Sequence, residues 1–116
     1  MGLGWQYRFR HEFIIFATKC EKKNRRISTR KQSDIIRLPR IHGNKTEHPT
    51  EKPMQLMKQL ILNRSEEGEH VLDFFAGSGV VPASAIHTNR SWSAIEIDQK
   101  WYEYSLQRVA KIHFEG

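Results

Sequence analysis

Three features of the sequence could do chemistry together. Asp73 closes the apolar run that begins at Val71-Leu72, Gly77-Ser78-Gly79 forms a glycine-rich turn just after it, and Glu96 follows further on. A short apolar run, an acid, a tight G-x-G turn and then a helix-compatible stretch is how a strand, its loop and the next helix look in sequence. In doubly wound α/β sheets that junction is where a ligand crevice opens, at the carboxyl end of the strand. Gly77 and Gly79 allow a sharp bend and a close approach of backbone to ligand, with no Cβ in the way. Glu96 stands about 20 residues after the turn, where a carboxylate in nucleoside-binding folds accepts hydrogen bonds from ribose hydroxyls. The spacing is not the dinucleotide fingerprint, because no third glycine follows. The pattern therefore suggests a nucleoside-type cofactor.

These residues need elements to hold them. Residues 5–18 read as a strand, with Trp5, Tyr7 and Phe9 alternating with Gln6, Arg8 and Arg10 before the apolar run Phe13 to Ala17. His11 and Glu12 read as polar residues of that strand rather than as an acid-base pair. Residues 19–47 lose periodicity and read as a long loop. Pro49 and Pro53 make a rigid entry, with Thr50 as a cap, to an amphipathic helix over about 53–63 carrying Met54, Met57, Leu60 and Ile61. Val71 to Phe74 reads as a buried strand. The helix after Gly79 has Pro82 in its first turn, where a missing N–H costs nothing. Trp92 to Ile97 reads as another strand. Asp98 caps a final helix whose core face is Tyr102, Leu106, Val109 and His113. The order is strand, basic loop, helix, strand, helix, strand, helix, with the later units forming a parallel sheet.

The chain has 116 residues and a net charge of +6, unevenly placed: Lys19 to Lys45 carries +8 and the rest −2. A concentrated basic segment beside a near-neutral core suggests a polyanion partner, most simply nucleic acid. Cys20 is the sole cysteine. A disulfide framework or multi-cysteine metal site within the chain is thereby excluded, and a reducing, cytoplasmic compartment is expected. No metal site and no membrane span is expected, since no apolar run approaches spanning length.

With those residues in view, the chain resembles the S-adenosylmethionine-dependent DNA amino-methyltransferases, which methylate adenine N6 or cytosine N4. Asp73-Phe74-Phe75-Ala76-Gly77-Ser78-Gly79 resembles their motif I. His48-Pro49-Thr50-Glu51-Lys52-Pro53 resembles motif X, normally His-Pro-Thr-(Gln or Glu)-Lys-Pro. Ile95-Glu96-Ile97-Asp98, followed by Tyr102 and Arg108, resembles motif II and its helix. Gly4-Trp5 through Ala17 is similar to the strand region called motif VIII. The order matches the second half of the β class. The resemblance implies an α/β fold: part of a Rossmann-like methyltransferase sheet, doubly wound and mostly parallel, with helices on both faces. It divides the chain into a strand region at 1–19, a target-recognition-like loop at 20–47 and a cofactor-binding part at 48–116.

The resemblance also implies roles. Asp73, Phe75, Ala76, Gly77, Ser78 and Gly79 would line the methionine end of S-adenosylmethionine, and Thr50 and Lys52 would close it. Glu96 would hold the ribose and Ile97 would pack on the adenine. Lys22, Lys23, Arg25, Arg26, Arg30 and Lys31 would contact the phosphates of double-stranded DNA. Two departures stand out. Val80 and Val81 occupy positions where the family usually has threonine. The catalytic Asp-Pro-Pro-Tyr, or a Ser, Asn or Trp variant, does not occur in this sequence. Those residues hold the flipped base, so no catalytic residue is assigned. The expectation is the cofactor-binding part of a restriction-modification type DNA methyltransferase, inactive by itself. Its protein partner would be a second chain with the catalytic half, or a second copy. The alternative is a non-enzymatic DNA- or cofactor-binding remnant, whose missing strands would leave apolar edges exposed.

Overall fold

The computed structural model describes residues 11–19, 33–39 and 51–115. Five elements follow in order: α1 (Met54–Arg64), β1 (His70–Asp73), α2 (Val80–His87), β2 (Ser91–Ala94) and α3 (Gln99–Glu115). The two strands pair in parallel, His70 opposite Ser91 and Asp73 opposite Ala94. Parallel strands need a crossover, and α2 supplies it. The expected α/β architecture with a parallel sheet is present.

The core gathers on α2. Val80, Pro82, Ala83, Ser84 and Ala85 are all buried, and α1, α3 and both strands pack against this helix. Small side chains make that close approach possible. The polar ones are satisfied within the helix: Ser84 Oγ donates to Val80 O at 2.7 Å and Thr88 Oγ1 to Ser84 O at 2.8 Å. Pro82 sits in the first turn, as its missing N–H requires. Arg90 closes the far end of α2. Its buried guanidinium donates to Ser65 Oγ at 3.0 Å, to Ser65 O at 2.6 Å and to Thr88 O. This ties the end of α1 to the entry of β2.

Several expectations are corrected. Residues 11–18, the latter part of the expected first strand, form no strand. A strand exists only with a hydrogen-bonded neighbour, and no described residue pairs with this run; Phe13 and Ile15 stand 89% and 91% exposed. The segment is tied instead to the entry of α1, by an ion pair from Lys52 Nζ to Glu12 Oε2 at 2.8 Å, and to its last residue, by Arg64 over the Phe16 ring at 4.0 Å. The strand over Val71–Phe74 is not buried on both faces, since Leu72 and Phe74 are exposed. The described helices cover one face of the sheet, that of Val71, Trp92 and Ala94; His70, Leu72, Ser91 and Ser93 on the other face are exposed. Within α3 the less exposed stripe is Trp101, Tyr104, Ser105, Arg108, Val109 and Ile112, while Tyr102, Leu106 and His113 are exposed. An inward ion pair, described below, turns Arg108 towards the core. Residues 33–39 contain no helix or strand.

Candidate cofactor site

The site is built where β1 and β2 end side by side. The sheet's last link continues past the strands: Ile95 N–H donates to Asp73 O and Ala76 N–H to Ile95 O, both at 2.9 Å. The two loops therefore leave the sheet locked together. Asp73 turns its carboxylate onto its own loop, accepting from Phe75 N–H at 3.0 Å. This local acid-to-amide bond is the usual way an aspartate starts a turn. Gly79 N–H then closes the turn onto Ala76 O at 2.9 Å.

Gly77 and Gly79 have φ of 54° and 85°, in the left-handed region. The need for glycine is most stringent at position 79, which caps α2. A Cβ there would lie 2.9 Å from Ser105 Cβ, so α3 could not approach.

Glu96 bridges the two loops. Its Oε1 accepts from Gly77 N–H at 2.6 Å and its Oε2 from Asp98 N–H at 2.9 Å. Each carboxylate oxygen has a second lone-pair direction, so the group can still accept from hydroxyls of a ligand. Asp98 in turn caps α3, accepting from Lys100 N–H at 2.9 Å and Trp101 N–H at 3.3 Å. The expected cap is therefore present.

Phe75 and Ile97 project from the two loops and are 89% and 99% exposed. Two nearly uncovered apolar side chains, one on each loop beside a carboxylate-held glycine turn, suit a ligand with an apolar ring and a hydroxylated sugar. The packing gap beneath them, between Trp92, Ala94, Tyr102 and Leu106, measures only about 40 Å³. A nucleoside would lie on the open side of the loops, not within the fold.

The expected site residues divide accordingly. Asp73, Phe75, Ala76, Gly77, Ser78, Gly79, Glu96 and Ile97 are brought together at one end of the sheet. Ser78 is buried and its hydroxyl is engaged: it donates to Glu51 Oε1 at 2.6 Å. Lys52 is exposed and paired with Glu12. Thr50 and the basic residues Lys22, Lys23, Arg25, Arg26, Arg30 and Lys31 lie outside the described residues.

Two participants were not singled out from sequence. Arg108 Nη1 donates to Glu51 Oε1 at 2.6 Å, with the two side chains only 24% and 11% exposed. Both carried a signal, Glu51 inside the His-Pro-Thr-Glu-Lys-Pro segment and Arg108 in the motif II-like stretch, but neither was assigned a role in the site.

Fold and site thus define an α/β protein with a carboxylate-held glycine turn at the carboxyl ends of parallel strands. The sequence profile of the N6/N4 DNA methylases matches residues 3–107, and the chain belongs to that family. It is 41% identical to type II methyltransferase M.HpaI of Haemophilus parainfluenzae, over 66% of this chain and 26% of that one. It is 30% identical to type II methyltransferase M2.MboI of Moraxella bovis, over 91% of this chain and 43% of that one. The crystal structure of an M1.HpyAVI–SAM complex superposes with a TM-score of 0.65 at 26% identity, over 76% of this chain and 45% of that one. The chain spans less than half the length of each of these relatives.

Proposed function

We propose that the chain is the S-adenosylmethionine-binding part of a DNA methyltransferase that acts on the exocyclic amine of adenine (N6) or cytosine (N4). The observation that carries this reading is the Glu96 carboxylate bound to the Gly77 amide at 2.6 Å, flanked by exposed Phe75 and Ile97. The carboxylate keeps acceptor capacity for ribose hydroxyls, Ile97 offers an apolar surface to adenine, and the glycine turn admits the methionine end. The first turns of α2 present backbone amides suited to a carboxylate. Lys52 reaches this end by leaving an exposed pair with Glu12, an exchange that costs little at the surface. Bound there, S-adenosylmethionine supplies an electrophilic methyl group. This chain's residues bind and orient the donor; the groups that hold the base, an Asp-Pro-Pro-Tyr or a variant, lie outside these 116 residues. The basic residues from Lys22 to Lys31 meet DNA phosphates.

A second reading, a non-enzymatic remnant that binds cofactor or DNA without turnover, is favoured by the face of the sheet left exposed among the described residues.

Calorimetric titration with S-adenosylmethionine tests the first reading. Saturable binding by the wild-type chain, weakened at least about 10-fold in Glu96→Ala, is expected, since a lost pair of hydroxyl–carboxylate bonds is worth more than about 1.4 kcal/mol. Absence of binding by the wild type sinks it. Methyl transfer to DNA by this chain alone sinks the assignment of the base-holding groups elsewhere.

A further inference from the structure

The glycine turn is held by two carboxylates, and only one of them faces the proposed ligand. Glu96 takes the Gly77 amide. Glu51, from the segment leading into α1, takes the Ser78 hydroxyl on the same oxygen that receives Arg108. The Arg108 group also lies 3.4 Å from Ser78 O. Three stretches far apart in sequence, at 51, 78 and 108, thus meet at one carboxylate oxygen. Both charges are largely withdrawn from water, and each is satisfied by the other. A pair in such a setting holds its geometry tightly, because separating it strands a charge.

From this we infer that Glu51 and Arg108 are positioning residues for cofactor binding: the pair fixes the backbone of Gly77–Gly79 in its ligand-ready shape and couples it to the segment carrying Lys52. The inference rests on the cofactor reading above, and it adds residues that never touch the ligand. Anchoring Glu51 inward leaves Lys52, the next residue of a non-helical segment, outward and 46% exposed. Loss of either partner frees the turn on that side while β1, β2 and their pairing remain.

The test is a double-mutant cycle with two readouts. Glu51→Ala and Arg108→Met should each weaken S-adenosylmethionine binding about 10-fold or more, and the double variant should bind no worse than the weaker single, as expected of one shared interaction. Glu51→Gln keeps an acceptor for Ser78 and Arg108 but not the charge, and should bind more tightly than Glu51→Ala and more weakly than wild type. Wild-type affinity in both folded single variants, or fully multiplicative losses in the double, overturns the inference. The second readout needs no cofactor. Amide hydrogen exchange at Gly77 and Gly79 should accelerate about 10-fold in Arg108→Met, with the Val71 and Ser93 amides unchanged. Unchanged exchange at the turn overturns the positioning role. If wild type fails to bind S-adenosylmethionine but the turn amides respond, the function proposed above fails and the positioning of the turn stands.

Discussion

The two faces of the small sheet differ sharply. On one, Trp92 and Ala94 meet α2 and α3, and the loops beyond them are pinned by Asp73, Glu96 and the Glu51–Arg108 pair. On the other, Leu72 is 53% exposed, and Phe74 and Ile95, just past the strand ends, are 59% and 54% exposed. His70 lies across this face with Nδ1 and Nε2 each 2.8 Å from a serine hydroxyl, Ser91 and Ser93. The covered face is half-buried and feeds directly into the site. The uncovered face has the composition of an interface waiting for a layer. The comparison teaches that, among the described residues, the loops of the proposed site are held from one side of the sheet, while the other side is left without a helix.

The heaviest blow to the covered side is at Gly79. Gly79→Ala places a methyl 2.9 Å from Ser105 Cβ and forces an L residue to a φ of 85°. The expected destabilisation is about 3 kcal/mol, combining the left-handed penalty with overpacking against α3. Urea unfolding measures it. A loss under about 1 kcal/mol would mean that α3 is not held against the turn.

Arg90 is the next test of the same side. Arg90→Met keeps much of the side-chain length but removes the donors to Ser65 O, Ser65 Oγ and Thr88 O. A loss of about 2 kcal/mol is expected, because buried carbonyls lose charged partners. The loss should come with faster hydrogen exchange at the end of α1. Equal exchange there would show that Arg90 does not staple α1 to the sheet.

What could be read from sequence follows the same division. The glycine turn, the Asp98 cap and Pro82 in a first helical turn were legible because each is decided by a few adjacent residues. Glu96 was legible because its distance from the turn is set by one strand-helix-strand unit. The Glu51–Arg108 pair was not, because its members are 57 residues apart and either could have been a solvated surface charge. The inward face of α3 was legible only in part: Val109 is buried and Tyr102 and Leu106 line the gap against Trp92 and Ala94, although half exposed, while Arg108, a cation, also lies inward. Residues 11–18 look like a strand by composition, but pairing depends on a neighbour that composition does not reveal. The burial of Leu72 and Phe74 was likewise inferred from their own character, although it depends on whether a second layer is present. The basic segment and Thr50 fall outside the described residues, so their DNA and cofactor roles are proposals; the expected Thr50 cap is corrected, since α1 is capped at Pro53 with no side-chain cap bond.

The smallest expected effect on stability is on the uncovered face, and it is the one that separates the two sides most cleanly. Leu72 is opposite Ser93 in the parallel register and is exposed although it lies mid-strand. In a face buried by helices, Leu72→Lys would bury a charge and cost several kcal/mol. Here the ammonium can remain in water on its flexible stem, so unfolding free energy should change by no more than about 0.5 kcal/mol. The solution behaviour should change more. An exposed apolar patch next to an open strand edge promotes association, so sedimentation velocity should show self-association of the wild type that falls in the variant. A loss of more than about 1 kcal/mol in unfolding, independent of protein concentration, would show that this face is covered within the chain itself. S-adenosylmethionine affinity should be the same in both proteins, because the crevice is built from the loops and from the opposite side of the sheet.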